Sequence, residues 1–115
     1  MELEELIGLA EMVRVAKMNE LKARRKLIDT EETLEVVRAN VLAQAYRDGA
    51  IDGKNAETRK QQEIAFTASN DEFAGVIYSV SIAQQEADAA VAELAGIEAR
   101  YGLVKAWLYS QARVV

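Results

Sequence analysis

The sequence predicts an all-α protein in which two long antiparallel helices, joined by a loop and a short helix, form a coiled-coil-like hairpin. Three observations predict this fold. No proline occurs in the 115 residues, one short segment has the composition of a loop, and apolar residues recur at steps of three and four. The absence of proline allows helices of forty residues or more. The apolar spacing is typical of a helix that buries one narrow face against another helix.

The first helix is expected from about Leu3 to Asp48, where Asp48-Gly49 ends it with Gly49 as a left-handed cap. A second apolar line, formed by Ile7, Leu21, Ile28 and Leu42, widens its apolar stripe beyond one seam. The main stripe of this first helix consists of two heptad columns, and nine of their twelve members are apolar. The first column is Leu6, Val13, Glu20, Leu27, Leu34 and Val41, and the second is Leu9, Ala16, Ala23, Thr30, Val37 and Gln44.

The loop covers residues 49–55, and Asn55 is a good N-cap for a short helix over residues 56–68. This helix has a polar face, and Ile64 and Phe66 are its main expected anchors. The segment Ser69-Asn-Asp-Glu72 has the spacing of a capping box, in which the Ser69 hydroxyl accepts an early helical N–H. It introduces a second long helix over residues 70–113.

This second long helix carries an unbroken heptad series, which predicts a seam. Apolar residues lie outside that seam as well, and a second copy of the chain would cover them, so a homodimer or higher oligomer of this single helical domain is expected. The oligomer seam is predicted to consist of Phe73, Val76, Val80, Ala83, Ala87, Ala90, Leu94, Ile97, Tyr101, Val104 and Leu108.

Composition excludes several classes of chemistry. Without Cys or His the chain has no thiolate nucleophile, zinc site or imidazole catalyst. No apolar run approaches eighteen residues and the N-terminus is acidic, so neither a membrane span nor a signal peptide is expected. The net charge is −5. We expect a cytoplasmic protein of a bacterial host, without cofactor, metal or catalytic residues.

Two clusters are candidates for partner contact. The basic residues Lys22, Arg24, Arg25 and Lys26 could contact phosphate groups or an acidic protein partner, although a solvated or ion-paired helix face explains them too. The chain's acidic balance and the lack of neighbouring aromatic residues oppose strong DNA binding. The aromatic residues are concentrated near the end of the last helix, where Trp107 and Tyr109 lie off the seam. They suit either core packing or an interface.

Glu31, Glu32 and Glu35 match the E-E-x-x-E signature of all-α nucleotide pyrophosphatases, whose carboxylates hold magnesium. Those enzymes also need an E-x-x-D pair on a following helix, and no such pair occurs after Glu35. A solvated acidic face explains the three residues without an enzyme, and the enzyme is the weakest alternative.

The segment Gly53-Lys-Asn-Ala-Glu-Thr-Arg59 resembles a G-K-N-A-E-x-R linker of small, uncharacterised phage and prophage helical proteins. In layout the resemblance extends over residues 34–110, through the short helix and the Asn70-Asp71 break. The basic cluster of the first helix has no counterpart in it. The resemblance implies an accessory role in DNA recombination or replication and supplies no catalytic residues.

Within this linker, Lys54, Asn55 and Arg59 are predicted to form a corner that binds an acidic group at a helix N-terminus. Alternatively, Asn55 caps the helix and Arg59 pairs with an acid such as Asp52 or Glu63. The function expected from the sequence is that of a non-enzymatic interaction protein that binds a protein partner. Direct nucleic-acid binding through the basic cluster is the alternative.

Overall fold

The computed structural model describes the backbone of residues 3–114 and the side chains of residues 3–112. It contains three helices, α1 (Leu3–Arg47), α2 (Ala56–Ala68) and α3 (Asp71–Val114), and the described residues form no strand. The predicted fold class is confirmed. The bounds of α2 are those expected, α1 ends one residue earlier, and α3 is displaced by one residue at both ends.

The chain divides into two compact units. Unit 1 combines residues 1–25 with residues 84–115, and unit 2 consists of residues 26–83. Each long helix contributes one stretch to each unit. That residues 1–115 behave as one domain stays a prediction.

Unit 1 pairs the first part of α1 with the last part of α3 in antiparallel orientation. Arg100 Nη2 lies 3.3 Å from Glu5 Oε1, which places the start of α1 beside the end of α3. The most buried residues of the unit come from both helices and are small or branched: Leu9, Ala16, Ala87 and Val104. Three of these four are Ala or Val, and side chains of this size allow two helices to approach each other closely.

Unit 2 pairs the second part of α1 with the start of α3 and adds the loop and α2. Leu34 of α1 lines a surface cavity together with Val80 of α3, and Val41 lines another together with Glu72, so the helices are antiparallel here too. The buried residues are Val41, Ala45, Ile51 and Ala83. Ile51 therefore brings the loop into the apolar interior, where α2 contributes no fully buried residue.

The α3 seam is buried within one chain. All eleven predicted positions are buried or half-buried, whereas the neighbouring Ile77, Val91 and Leu103 are exposed. Within unit 1 and within unit 2, α1 supplies the opposing helix. An oligomer contact through the same residues would have to share or replace this packing, and it stays a prediction.

The α1 columns are buried or half-buried at eleven of their twelve positions. Gln44 is the exception: it is exposed, and Ala45 is fully buried instead. Gln44 is one of the three polar members of these columns, with Glu20 and Thr30, and near it the buried positions run Val37, Val41 and Ala45. In the second apolar line, Ile7, Leu21 and Ile28 are exposed and Leu42 is half-buried.

The entrance to α3 differs from the expected capping box. Asn70 is the N-cap, and its Oδ1 accepts the Phe73 N–H at 2.9 Å. The Ser69 hydroxyl instead donates to the Phe66 carbonyl at 3.0 Å, so Ser69 closes α2 and the cap lies one residue later than predicted. An amide oxygen serves as an N-cap as well as a hydroxyl does, and Asn70 stands next to the helix start. Ile64, expected as an anchor, is 60% exposed, while Phe66 is half-buried.

Candidate functional site

The loop of unit 2 begins with a tight C-terminal cap on α1. Gly49 has φ +77°, the left-handed conformation that the sequence predicted. The Gly49 N–H donates to Tyr46 O at 3.3 Å and the Ala50 N–H donates to Ala45 O at 2.9 Å, the paired bonds of a Schellman motif. The motif reverses the chain and directs Ile51 into the interior, where it is 4% exposed.

Gln62 of α2 ties the rest of the loop to the helix. Its Oε1 accepts the N–H groups of Gly53 at 2.8 Å and Asp52 at 3.2 Å. Its Nε2 donates to Asp52 Oδ1 at 2.9 Å. One amide side chain thus accepts from two backbone N–H groups and donates to one carboxylate. These hydrogen bonds take the place of the regular backbone hydrogen bonds that a loop does not form.

The three residues of the predicted partner-binding corner lie together around this loop. Asn55 Oδ1 accepts the Thr58 N–H at 2.8 Å, so its predicted role as N-cap of α2 is confirmed. Arg59 is half-buried, and its Nη1 donates to Gly53 O at 3.2 Å. Lys54 is exposed. Asn55 and Arg59 thus have structural contacts of their own, and binding of an acidic partner at this corner stays a prediction.

A tyrosine–carboxylate pair joins α1 to α2 beside the corner. The Tyr46 hydroxyl donates to Glu63 Oε1 at 2.7 Å. This hydrogen bond, with smaller contributions from burial and from the negative charge of Glu63, raises the pKa of Tyr46 above its ordinary value, while the charge of Arg59 acts in the opposite direction. Only the protonated phenol can donate this hydrogen bond to the Glu63 carboxylate.

The basic cluster lies on one segment of α1, and all four side chains are exposed. Arg24 is paired with Glu20 one turn earlier, and Arg25 and Lys26 also have interaction partners. Lys22, Arg24, Arg25 and Lys26 are therefore accessible to solvent, but the positive charge of this segment is partly balanced within the chain. Nucleic-acid binding through them stays a prediction.

Glu31, Glu32 and Glu35 line a shallow surface cavity of about 320 Å³ beside Val80 in unit 2. Among the described residues no group of three His, Cys, Asp or Glu side chains converges to hold a metal ion. The three carboxylates of the E-E-x-x-E signature therefore do not form such a group in this structure.

Unit 1 carries exposed apolar side chains at the end of α3. Leu103 is 69% and Trp107 is 40% exposed, and their spacing of four residues places them on the same side of the helix. Tyr101 and Leu108, the seam members nearby, are half-buried. The exposure of Trp107 and Tyr109 agrees with their predicted position off the seam.

Four residues that build the loop region have roles that the sequence did not predict: Ile51, Gln62, Tyr46 and Glu63. Ile51 is the sole large apolar residue between Gly49 and Asn55, and this isolation could have identified it as the interior contact of the loop. The roles of Gln62 and of the Tyr46–Glu63 pair depend on contacts across ten and seventeen residues, and no local pattern signals them.

Comparison with known proteins gives no relative for this architecture. No protein-family model, curated protein or solved structure matches the chain. Among the described residues, no helix combines the length and the hydrophobicity needed to cross a bilayer.

Proposed function

We propose that the chain is a non-enzymatic helical interaction protein that binds a protein partner through the exposed end of α3. The observation that carries this proposal is the Leu103–Trp107 pair, two large apolar side chains exposed on one side of a helix whose other side is buried in the seam. Tryptophan is among the residues most enriched at the energetic centres of protein interfaces. Apolar side chains grouped on a surface are typical of interaction sites.

The resemblance of residues 53–59 to a phage linker supports a cellular setting for this binding. In that setting the chain is an accessory factor in phage DNA recombination or replication, and its partner is a protein of that machinery. The second contact surface in this proposal is the corner of Lys54, Asn55 and Arg59, which would take an acidic group of the partner.

Partner capture tests the leading proposal. The tagged chain is used as bait in infected host cells, and each captured protein is purified and titrated against the chain by calorimetry. We expect one saturable complex that the double variant Leu103→Ser/Trp107→Ser weakens by roughly tenfold or more. Tyr78→Ser, at a position 68% exposed in unit 2, is the matched control and should bind as wild type does. Equal binding by all three chains would contradict the proposal.

Direct nucleic-acid binding is the second candidate, and the exposure of all four basic side chains on one segment of α1 favours it. Gel shifts with single- and double-stranded DNA across a salt series test it. A contact made by Lys22, Arg24, Arg25 and Lys26 must weaken as salt rises, and their charge reversal must abolish it. Absence of a shift at low salt, or a shift that survives charge reversal, removes this candidate.

A further inference from the structure

The first part of α1 has an apolar face that points away from the seam. Leu3 and Ile7 are 63% and 62% exposed, and Leu21 and Met18 are 62% and 44% exposed. With Ala10 and Arg14 between them, these residues follow one another at steps of three and four, so they occupy one side of the helix. We call this set the outer face of α1: Leu3, Ile7, Ala10, Arg14, Met18 and Leu21.

Arg14, in the middle of the outer face, forms a charge pair with Glu11, which lies beside that face. Arg14 donates to Glu11 through Nε at 3.0 Å and through Nη2 at 2.6 Å. Arg14 Nη1 also lies 3.2 Å from Met18 Sδ, so the guanidinium contacts both the Glu11 carboxylate and an apolar member of the outer face. Both charged side chains stay about three-fifths exposed, at 61% and 59%. They are accessible to a second molecule.

The outer face is self-complementary when it is reversed. If a second α1 runs antiparallel across it about a two-fold axis between residues 12 and 13, Ile7 lies opposite Met18, and Leu3 and Leu21 lie within one residue of facing each other. The same register places Glu11 of each copy opposite Arg14 of the other. At the ends, the exposed Glu4 of one copy approaches the exposed Lys22 of the other. Apolar and charged positions are both matched by one symmetry operation.

We propose that the outer face of α1 is the contact through which two copies of this chain associate, antiparallel and around a two-fold axis. A parallel arrangement would place Arg14 against Arg14 and Glu11 against Glu11, and like charges in contact oppose association. The antiparallel arrangement converts two Glu11–Arg14 pairs into one network of four charges flanked by apolar contacts. It also leaves the α3 seam in its packing within each chain.

This dimer does not depend on the proposed partner function, since its contact residues belong to α1 and the proposed partner surface belongs to α3. The stretch from Leu3 to Leu21 rises roughly 27 Å at 1.5 Å per residue. A helix pair of this length makes a contact at the lower end of the sizes seen for specific interfaces. We therefore expect a dimer that dissociates on dilution.

Charge reversal tests the dimer with the full chain in sedimentation equilibrium. Arg14→Glu and Glu11→Arg each place like charges across the two-fold axis and should weaken association by roughly tenfold or more. An equimolar mixture of these two variants should recover association. In the mixed dimer the two acids of the Arg14→Glu chain face the two arginines of the Glu11→Arg chain. Within each variant chain the pair is like-charged, so recovery cannot come from an internal contact. Arg38→Glu, an exposed change on α1 in unit 2, is the control and should associate as wild type does.

Cross-linking fixes the orientation, and the native chain offers a background without cysteine. A mixture of Ile7→Cys and Met18→Cys chains should form a mixed disulfide dimer on mild oxidation, whereas each variant alone should cross-link poorly. The proposal is overturned if the wild type stays monomeric at every concentration, if the charge variants associate as the wild type does, or if their mixture fails to recover. Preferential cross-linking of Ile7→Cys with itself would overturn the antiparallel arrangement.

Discussion

At the scale of single residues, the loop of unit 2 depends on Gly53, Gln62 and Tyr46. Gln62 Oε1 accepts the Gly53 N–H, and Arg59 donates to the Gly53 carbonyl, so the backbone at Gly53 is held from both sides. A Cβ added at Gly53 would lie 2.8 Å from Thr58 Cγ2 and 3.0 Å from Arg59 N. Glycine is required here because these atoms approach the backbone closely, and the requirement is steric.

Gly53→Ala should therefore destabilise the fold by about 1–3 kcal/mol, the usual cost of forcing an extra carbon into a packed site. Urea unfolding followed by circular dichroism measures it. Gly102→Ala is the matched control, because nothing lies within 4 Å of its added Cβ and it stands inside α3. Alanine there should raise the free energy of unfolding by roughly 0.5–1 kcal/mol. If Gly53→Ala is neutral, the close packing of the loop is contradicted.

The Tyr46–Glu63 pair predicts a pH dependence at alkaline pH. Because the folded pKa of Tyr46 is raised above its ordinary value of 10.0, its contribution to stability is present below pH 10 and is lost as pH rises through the folded pKa. Spectrophotometric titration of wild type minus Tyr46→Phe isolates this phenol. Glu63→Gln should bring its pKa back toward the ordinary value. A titration curve that Glu63→Gln does not alter would contradict the hydrogen bond.

At the scale of elements, the heptad pattern determines which side of each long helix is buried. The seam of α3 could be predicted residue by residue, since steps of three and four fix one face whatever covers it. The columns of α1 are followed as far as Gln44, a polar member that is exposed. The cap of α3 lies at Asn70 instead of Ser69, because two good capping residues are adjacent. The apolar pattern within each helix was sufficient to predict the helices and their buried sides. The loop and the candidate site depend on contacts between different elements, which such a pattern does not predict.

Two neighbouring residues of α3 test which side of this helix is buried and which is exposed. Val104 is 1% and Leu103 is 69% exposed. Val104→Asp should lower the free energy of unfolding by about 3 kcal/mol or more, because it buries a charge without a partner. Leu103→Asp should change it by no more than about 0.5 kcal/mol, as surface substitutions do. Thermal and urea unfolding of both variants give the comparison, and similar losses for both would contradict the assigned seam.

At the scale of the whole molecule, the residues whose contacts fold the chain differ from the residues that form its exposed apolar surfaces. Each unit buries small and branched residues of α1 and α3 against each other and leaves larger apolar residues outside. The sequence predicted the surplus of apolar residues and the need for a partner. The sequence did not show which apolar stripe packs within the chain and which contacts another molecule, because the residue pattern is the same in both cases.

The most direct test of the central claim is an isotope-edited NMR measurement of the seam in unit 1. Ala16 and Ile97 line one cavity of about 190 Å³ and belong to α1 and α3 respectively. The methyl groups of Ala16 and Ile97 should show an NOE within each labelled chain. When labelled and unlabelled chains are unfolded, mixed and refolded, the NOE intensity per labelled chain should stay the same. An NOE that appears between labelled and unlabelled chains instead would show that the seam joins two molecules and would contradict our account.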